Sequence, residues 1–185
     1  MNDSEHKEVP TSAEVCIITE EDLPRVAEQT GMDPLYTKKV LEMMLKDELV
    51  LFAAKMGDTF VGRASLWLAE ADEPEVRNTL PGVPLVNALQ VNEEARGAQV
   101  ATKIMKAIEA EVLRRGGDRI ALGVEPDNEP ARRLYEKLGY AYVPIEGDQT
   151  YKSCWDETDE VGAVRQVCVD TLLMGKVLKR TGVEL

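Results

Sequence analysis

Histidine occurs once in the 185 residues, as His6 in a polar leader, and cysteine three times, as Cys16, Cys154 and Cys168. Without a histidine in the body of the chain, no serine or cysteine there has an imidazole base to activate it. Most zinc hydrolase sites are excluded with them, and no metal is expected. The cysteines are odd in number and have neither CxxC nor zinc-ligand spacing, so they are expected as buried or free thiols in a reducing compartment. Long apolar runs are missing as well. None reaches the roughly 20 residues that a membrane helix needs, and the opening MNDSEHKEVPTSAE lacks the apolar segment of a secretion signal. The expectation is a cytoplasmic protein without a membrane partner. Basic residues are scarce, 22 against 34 acidic ones, for a formal net charge of −12. That balance argues against nucleic acid as a partner, because phosphate neutralisation needs a basic face.

What is present is a globular composition, 44% hydrophobic and 30% charged, in a chain of one-domain length. Residues 1–12 read as a flexible leader and 13–185 as a single domain. Ala13 to Ile18 fits a first strand, and Glu20-Glu21-Asp22 opens a helix to about Gln29, with its acidic residues at the positive end of the dipole. Pro34 to Lys46 is a second helix, in which Met43 and Met44 read as packing. Leu49 to Met56 and Thr59 to Leu68 are strands about a Gly57-Asp58 hairpin turn. Glu70 to Pro84, broken by Pro74, Pro81 and Pro84, is expected as a long loop. Toward the carboxyl end, Thr150 to Trp155 reads as a strand and Asp156 to Glu160 as an acidic loop or hairpin tip. Val164 to Leu178 reads as an apolar last strand suited to pairing in a homodimer. Trp155 is either core or a wall of an acceptor pocket.

The informative stretch runs from Leu85 to Tyr142. Leu85 to Val91 is a short apolar strand, and Asn92 to Gln99 is polar and small. From Val100 the apolar spacing changes to the helical period, with Val100, Ile104, Ile108 and Val112 on one face, until Gly116-Gly117 stops the helix. A loop that turns from strand into helix leaves backbone N–H groups free at the positive end of the helix dipole, which is an anion site before any side chain is counted. Arg96, Lys103 and Lys106 add positive charge, and with Arg132 and Arg133 form a local basic cluster in an acidic chain. Asp118 to Glu125 is a further strand. Asp127-Asn128-Glu129-Pro130 then opens a helix carrying Ala131, Leu134, Tyr135 and Leu138, ended by Gly139. Taken alone, Asn128 is a cap and Tyr135 a core aromatic.

Three motifs stand in order here: Leu89-x-Val91, then Arg96-Gly97-x-x-Val100-Ala101, then Asn128-x-x-Ala131-x-x-x-Tyr135-x-x-x-Gly139-Tyr140. The ordered set resembles the GCN5-related N-acetyltransferases, which move an acetyl group from acetyl-CoA to an amine. The resemblance implies the α/β acyl-CoA N-acyltransferase fold, a mixed and mostly antiparallel sheet splayed at the cofactor site and flanked by helices. It also implies direct attack by a primary amine, from a small molecule or a peptide, in a ternary complex with acetyl-CoA.

Carried over residue by residue, the backbone of Leu89, Gln90 and Val91 takes the pantetheine arm like an added strand and supplies an N–H to the oxyanion. Arg96, Gly97, Ala98, Gln99, Val100, Ala101 and Thr102 cradle the pyrophosphate, with Asn128, Ala131 and Arg132 beside it. Tyr135 protonates the leaving thiolate. One position departs from the family pattern, which usually has glycine where this chain has Gln99. The general base is left open among Glu70, Glu94, Glu125 and water. So is the alternative of an acyl-CoA-binding module of the same fold without catalysis.

Overall fold

The computed structural model describes residues 12–97, 99–147 and 149–179. Along the chain, β1 (Glu14–Ile17) is followed by α1 (Leu23–Gln29), α2 (Pro34–Leu45) and the hairpin β2 (Leu49–Met56) and β3 (Thr59–Trp67). A short α3 (Pro74–Thr79) leads to β4 (Leu85–Val91), α4 (Val100–Arg114), β5 (Arg119–Val124) and α5 (Glu129–Lys137). Three strands complete the order: β6 (Ala141–Tyr142), β7 (Tyr151–Thr158) and β8 (Val164–Val177). In the sheet they lie β1-β2-β3-β4-β5-β8-β6, with β7 paired to β8. Only the β4–β5 pair is parallel among the described strands. Parallel neighbours need a crossover, and α4 is that crossover. The sheet is the mixed, mostly antiparallel one that the resemblance implied.

Period decides which face each element buries. Val100, Ile104, Ile108 and Val112, the helical stripe of α4, are at most 2% exposed and pack with Phe52, Leu66, Val86, Leu122 and Tyr135 on one face of the sheet. On the other face, Val26 of α1 and Val40 of α2 close over Leu51, Ala53, Phe60 and Leu173. Each such aliphatic side chain contributes roughly 1.5–3 kcal/mol by leaving water. These two layers fix the middle of the sheet, where β4 and β5 meet.

Several expectations are corrected. The first helix starts at Leu23 rather than Glu20, with Pro24 in its first turn; a proline ring one turn further in would clash with the preceding carbonyls. The stretch from Glu70 to Pro84 is not all loop, since α3 forms with Pro74 at its start and Val76 buried beneath it. The acidic segment from Asp156 belongs largely to β7, which runs on to Thr158 because Glu157 and Thr158 pair with Arg165 and Val164. Cys154 and Cys168 are not free thiols. They face each other directly across β7 and β8 and form a disulfide, and only Cys16 is free. Trp155 is not core, being 42% exposed on the β7–β8 arm. Residues 1–11 of the expected leader lie outside the described residues, and Ser12 accepts a hydrogen bond from Lys103. Among the described residues, no helix is long and apolar enough to cross a membrane.

Candidate active site

The sheet parts where the motifs converge. β4 pairs with β5 only at Leu85↔Ala121 and Val86↔Leu122. Beyond that point β4 stays with β3, through Arg63↔Gln90 and Gly62↔Val91, while β5 stays with β8 as far as Val124↔Leu172. The divergence has a local cause. Ala88 holds a left-handed φ of 53°, and the β3–β4 register shifts between Arg63 and Ser65. An extra residue on one strand bends that strand and increases its twist. An L-residue in this conformation costs roughly 1–2 kcal/mol, so the bulge persists only because neighbours hold it. Beyond Ala88, the β5 side of β4 is left without a strand partner, and Leu89 and Val91 lie half-buried at the edge of the core.

Directly after β4, residues Glu93–Ala95 make a single 3-10 turn and the chain enters α4. Gly97 has φ 83° and Gln99 φ 57°, so two close left-handed residues turn the backbone at the helix start. Gln99 is the N-cap, and its side chain makes no capping bond. The first N–H groups of a fifteen-residue helix are therefore unclaimed by a cap side chain, as an anion cradle requires. A cavity of about 270 Å³ opens here, lined by Val91, Ala95, Arg96, Gly97, Gln99, Val100, Ala101, Thr102 and Leu134. The structure thus gathers Val91 and most of the expected cradle into one hollow, with α5 as its far wall. Ala98 lies outside the described residues.

The expected basic cluster is brought together less completely. Lys103 turns away from the hollow, donating to Ser12 Oγ at 2.7 Å and to the Ala13 carbonyl at 3.0 Å, where it fastens α4 to the start of β1. Arg96 remains at the hollow, 67% exposed and 3.5 Å from Glu93. Arg132 and Arg133 face a second hollow of about 350 Å³ outside α5, which they share with Asp127, Glu129 and Glu136. Arg133 pairs with Glu129, and Arg132 donates to Tyr142 Oη and the Pro126 carbonyl. That hollow mixes both signs of charge, and the α5 start beside it is already capped by Asn128 and carries Glu129 in its first turn, so the smaller one is the better anion site. Asn128 accepts from the Ala131 N–H at 3.2 Å, which makes it the cap of α5, and Ala131 packs at the edge of the core.

Tyr135 is 7% exposed, with its ring edge-on to Tyr140 at 6.0 Å between centroids. Burial pushes its hydroxyl up to about 12, so it keeps its proton throughout the working range of proteins. Of the candidate bases, Glu94 and Glu125 stand at the end of the sheet where β4 and β5 have parted, whereas Glu70 follows β3 past its paired end. All three are exposed.

Four groups on the α1–α2 face went unnoticed in the sequence. Arg63 is only 4% exposed. Tyr36 Oη donates to Ser65 Oγ at 2.8 Å, and Ser65 is fully buried. The buried indole N–H of Trp67 has no partner among the described residues. Ser153 of β7 donates to Glu73 at 2.8 Å, and Tyr151 reaches across to Gly123 on β5, where a side chain would collide with its hydroxyl. A buried charge or hydroxyl inside a strand gives no periodic signal, since alternation reads apolar residues only.

A sheet opened beside an uncapped helix start is the architecture of the acyl-CoA N-acyltransferases. The acetyltransferase (GNAT) family model matches residues 14–140, more than half of the chain, and the chain belongs to that family. Solved structures agree on the fold. The ribosomal-protein-S18-alanine N-acetyltransferase of Escherichia coli superposes with a TM-score of 0.63 at 15% identity, covering 94% of this chain and 98% of that one. The ribosomal-protein-alanine N-acetyltransferase of Brucella melitensis gives 0.61 at 20% identity, covering 89% and 99%. A putative acetyltransferase of Salmonella typhimurium, solved with its cofactor acetyl-CoA, gives 0.62 at 13% identity, covering 93% and 97%.

Proposed function

We propose that the protein transfers an acetyl group from acetyl-CoA to a primary amine by direct attack within a ternary complex. The observation that carries the reading is the coincidence of two features: β4 and β5 part at Ala88, and the uncapped start of α4 opens the 270 Å³ hollow just beyond. Acetyl-CoA, when bound, supplies the activated acetyl thioester. Gly97, Gln99 and the first turn of α4 receive its pyrophosphate on backbone N–H groups, which accounts for a glycine position tolerating Gln99: the donors are main-chain. Arg96 adds charge at the rim. The free edge of Leu89 to Val91 takes the pantetheine amide groups as a strand would, and one of its N–H groups meets the developing oxyanion.

The amine must first lose its proton. An alkylammonium group in water titrates at ~10.4, about 3.4 pH units above neutrality, and that gap of roughly 4.6 kcal/mol must be covered by a carboxylate, water or desolvation. Glu94 and Glu125, at the parted end of the sheet, are better placed than Glu70. Tyr135 holds the proton that the leaving thiolate needs, and its burial keeps that proton in place at every working pH. The test is a calorimetric titration of the protein with acetyl-CoA. Saturable binding that Arg96→Ala weakens supports the reading, and no binding to the unaltered protein refutes it.

A further inference from the structure

Arg63 lies in the middle of β3, 4% exposed, and among the described residues no carboxylate lies within ion-pair distance of it. A buried cation without a counter-charge persists only where its donors are all engaged. This guanidinium engages three neutral oxygens. Nε donates to Thr30 Oγ1 at 3.1 Å, Nη1 to the Ala88 carbonyl at 2.9 Å and Nη2 to Gln90 Oε1 at 2.8 Å. Its guanidinium carbon also lies 5.8 Å from the centroid of the Tyr36 ring.

The partners decide its role. Ala88 is the left-handed residue at which β4 leaves β5, and a bulge leaves its extra residue out of the ladder. Arg63 supplies the bond that the ladder does not. Thr30 caps the end of α1 and Tyr36 lies in the first turn of α2. A second tie runs in parallel, since Asn92, just past β4, donates to the Gln29 carbonyl at the end of α1 at 2.9 Å. One buried side chain therefore joins the helices on one face of the sheet to the strand that, on the function proposed above, carries the acetyl donor.

We infer that Arg63 is a positioning residue: its guanidinium holds the Ala88 bulge, and so keeps the Leu89–Val91 edge open for acetyl-CoA in register with α1 and α2. It touches neither substrate and acts through β4. Without it, β4 regains freedom to straighten, and straightening moves every following side chain to the opposite face.

The experiment compares the unaltered protein with Arg63→Met, Thr30→Val and Arg63→Met/Ala88→Gly, each verified as folded by circular dichroism. Two readouts are taken, acetyl-CoA affinity by calorimetry and amide hydrogen exchange across Asn87 to Val91. Losing the clamp of the bulge is expected to weaken acetyl-CoA binding about tenfold in Arg63→Met and about threefold in Thr30→Val. It should also speed exchange at Leu89 to Val91. Ala88→Gly, which adopts positive φ without help, should recover at least about threefold of the loss, a rescue that a merely structural arginine would not give. Folded Arg63→Met with unaltered affinity and unaltered exchange overturns the inference. If Arg63→Met does not fold, Thr30→Val decides alone, since Thr30 lines no part of the hollow: weaker binding or faster exchange supports the inference, and no change in either overturns it. Failure of the unaltered protein to bind acetyl-CoA would sink the proposed function instead, and the exchange readout would still decide the role of Arg63.

Discussion

Gln99 occupies the left-handed N-cap of α4 with φ 57° and ψ 20°, and its side chain makes no capping bond. Replacing it with glycine removes the contact between Cβ and backbone that makes this conformation costly for L-residues, roughly 1–2 kcal/mol. Glycine in turn loses about 0.5–1 kcal/mol more on folding, because its unfolded chain is freer. The balance for Gln99→Gly is a net gain of about 0.5–1 kcal/mol. At roughly 2–4 °C per kcal/mol for a domain of this size, Tm should rise by about 1–4 °C. Gln99→Ala is the control, because it deletes the same side chain while keeping Cβ, and it should give no rise. Acetyl-CoA affinity should stay within about threefold for both, since the proposed donors are main-chain and the Gln99 side chain is exposed. Differential scanning calorimetry of the three proteins, with and without acetyl-CoA, measures both quantities. A Gln99→Gly protein that melts below the original, or an alanine variant that gains as much as glycine, would refute the left-handed assignment and the cradle built on it.

Glu111 is 6% exposed near the end of α4, where Arg114 and Arg115 bond its carboxylate and hold its pKa at about 2, below the ordinary 4.5. A depressed carboxylate stabilises the fold fully above its unfolded pKa and loses that contribution as pH falls from about 4.5 toward 2. Solvent screening at the exposed arginine heads leaves about 2 kcal/mol, so Glu111→Gln should lose that much at pH 7 and flatten the acid side of the denaturant-stability profile. Gly62 sits where β3, the end of β4 and the start of α4 meet. A Cβ there would lie 3.0 Å from the Gln90 carbonyl and 3.1 Å from Val100 Cγ1. Gly62→Ala should cost about 1–3 kcal/mol in urea unfolding and weaken acetyl-CoA binding with it, because it pushes apart the two elements that form the hollow.

Much of the fold was legible where period and punctuation agree. β4 begins and ends where its apolar run does, α4 starts where the spacing changes at Val100, and Asn128 caps α5 at the Asx-Glu-Pro signal. What escaped depends on contacts distant in sequence. Cys154 and Cys168 become opposite only once the β7–β8 register is set. α3, with six residues, is too short to show a helical period. Lys103 reads as positive charge beside the cradle until Ser12 and Ala13 come within reach of it. At the candidate site, the glycine loop was readable as a motif. The bulge at Ala88 was not, since alanine carries no turn signal, and neither was the buried Arg63 that holds it.

The most direct measurement is release of CoA thiol from acetyl-CoA in the presence of a panel of primary amines, run on the unaltered protein and on Tyr135→Phe. Turnover with at least one amine is expected. The phenylalanine variant should lose about a hundredfold or more in kcat while keeping acetyl-CoA affinity within about twofold, because the hydroxyl acts on the leaving thiolate rather than on binding. Undiminished kcat in Tyr135→Phe would contradict the acid role, and the absence of thiol release with every amine, despite acetyl-CoA binding, would leave a binding module in place of an enzyme.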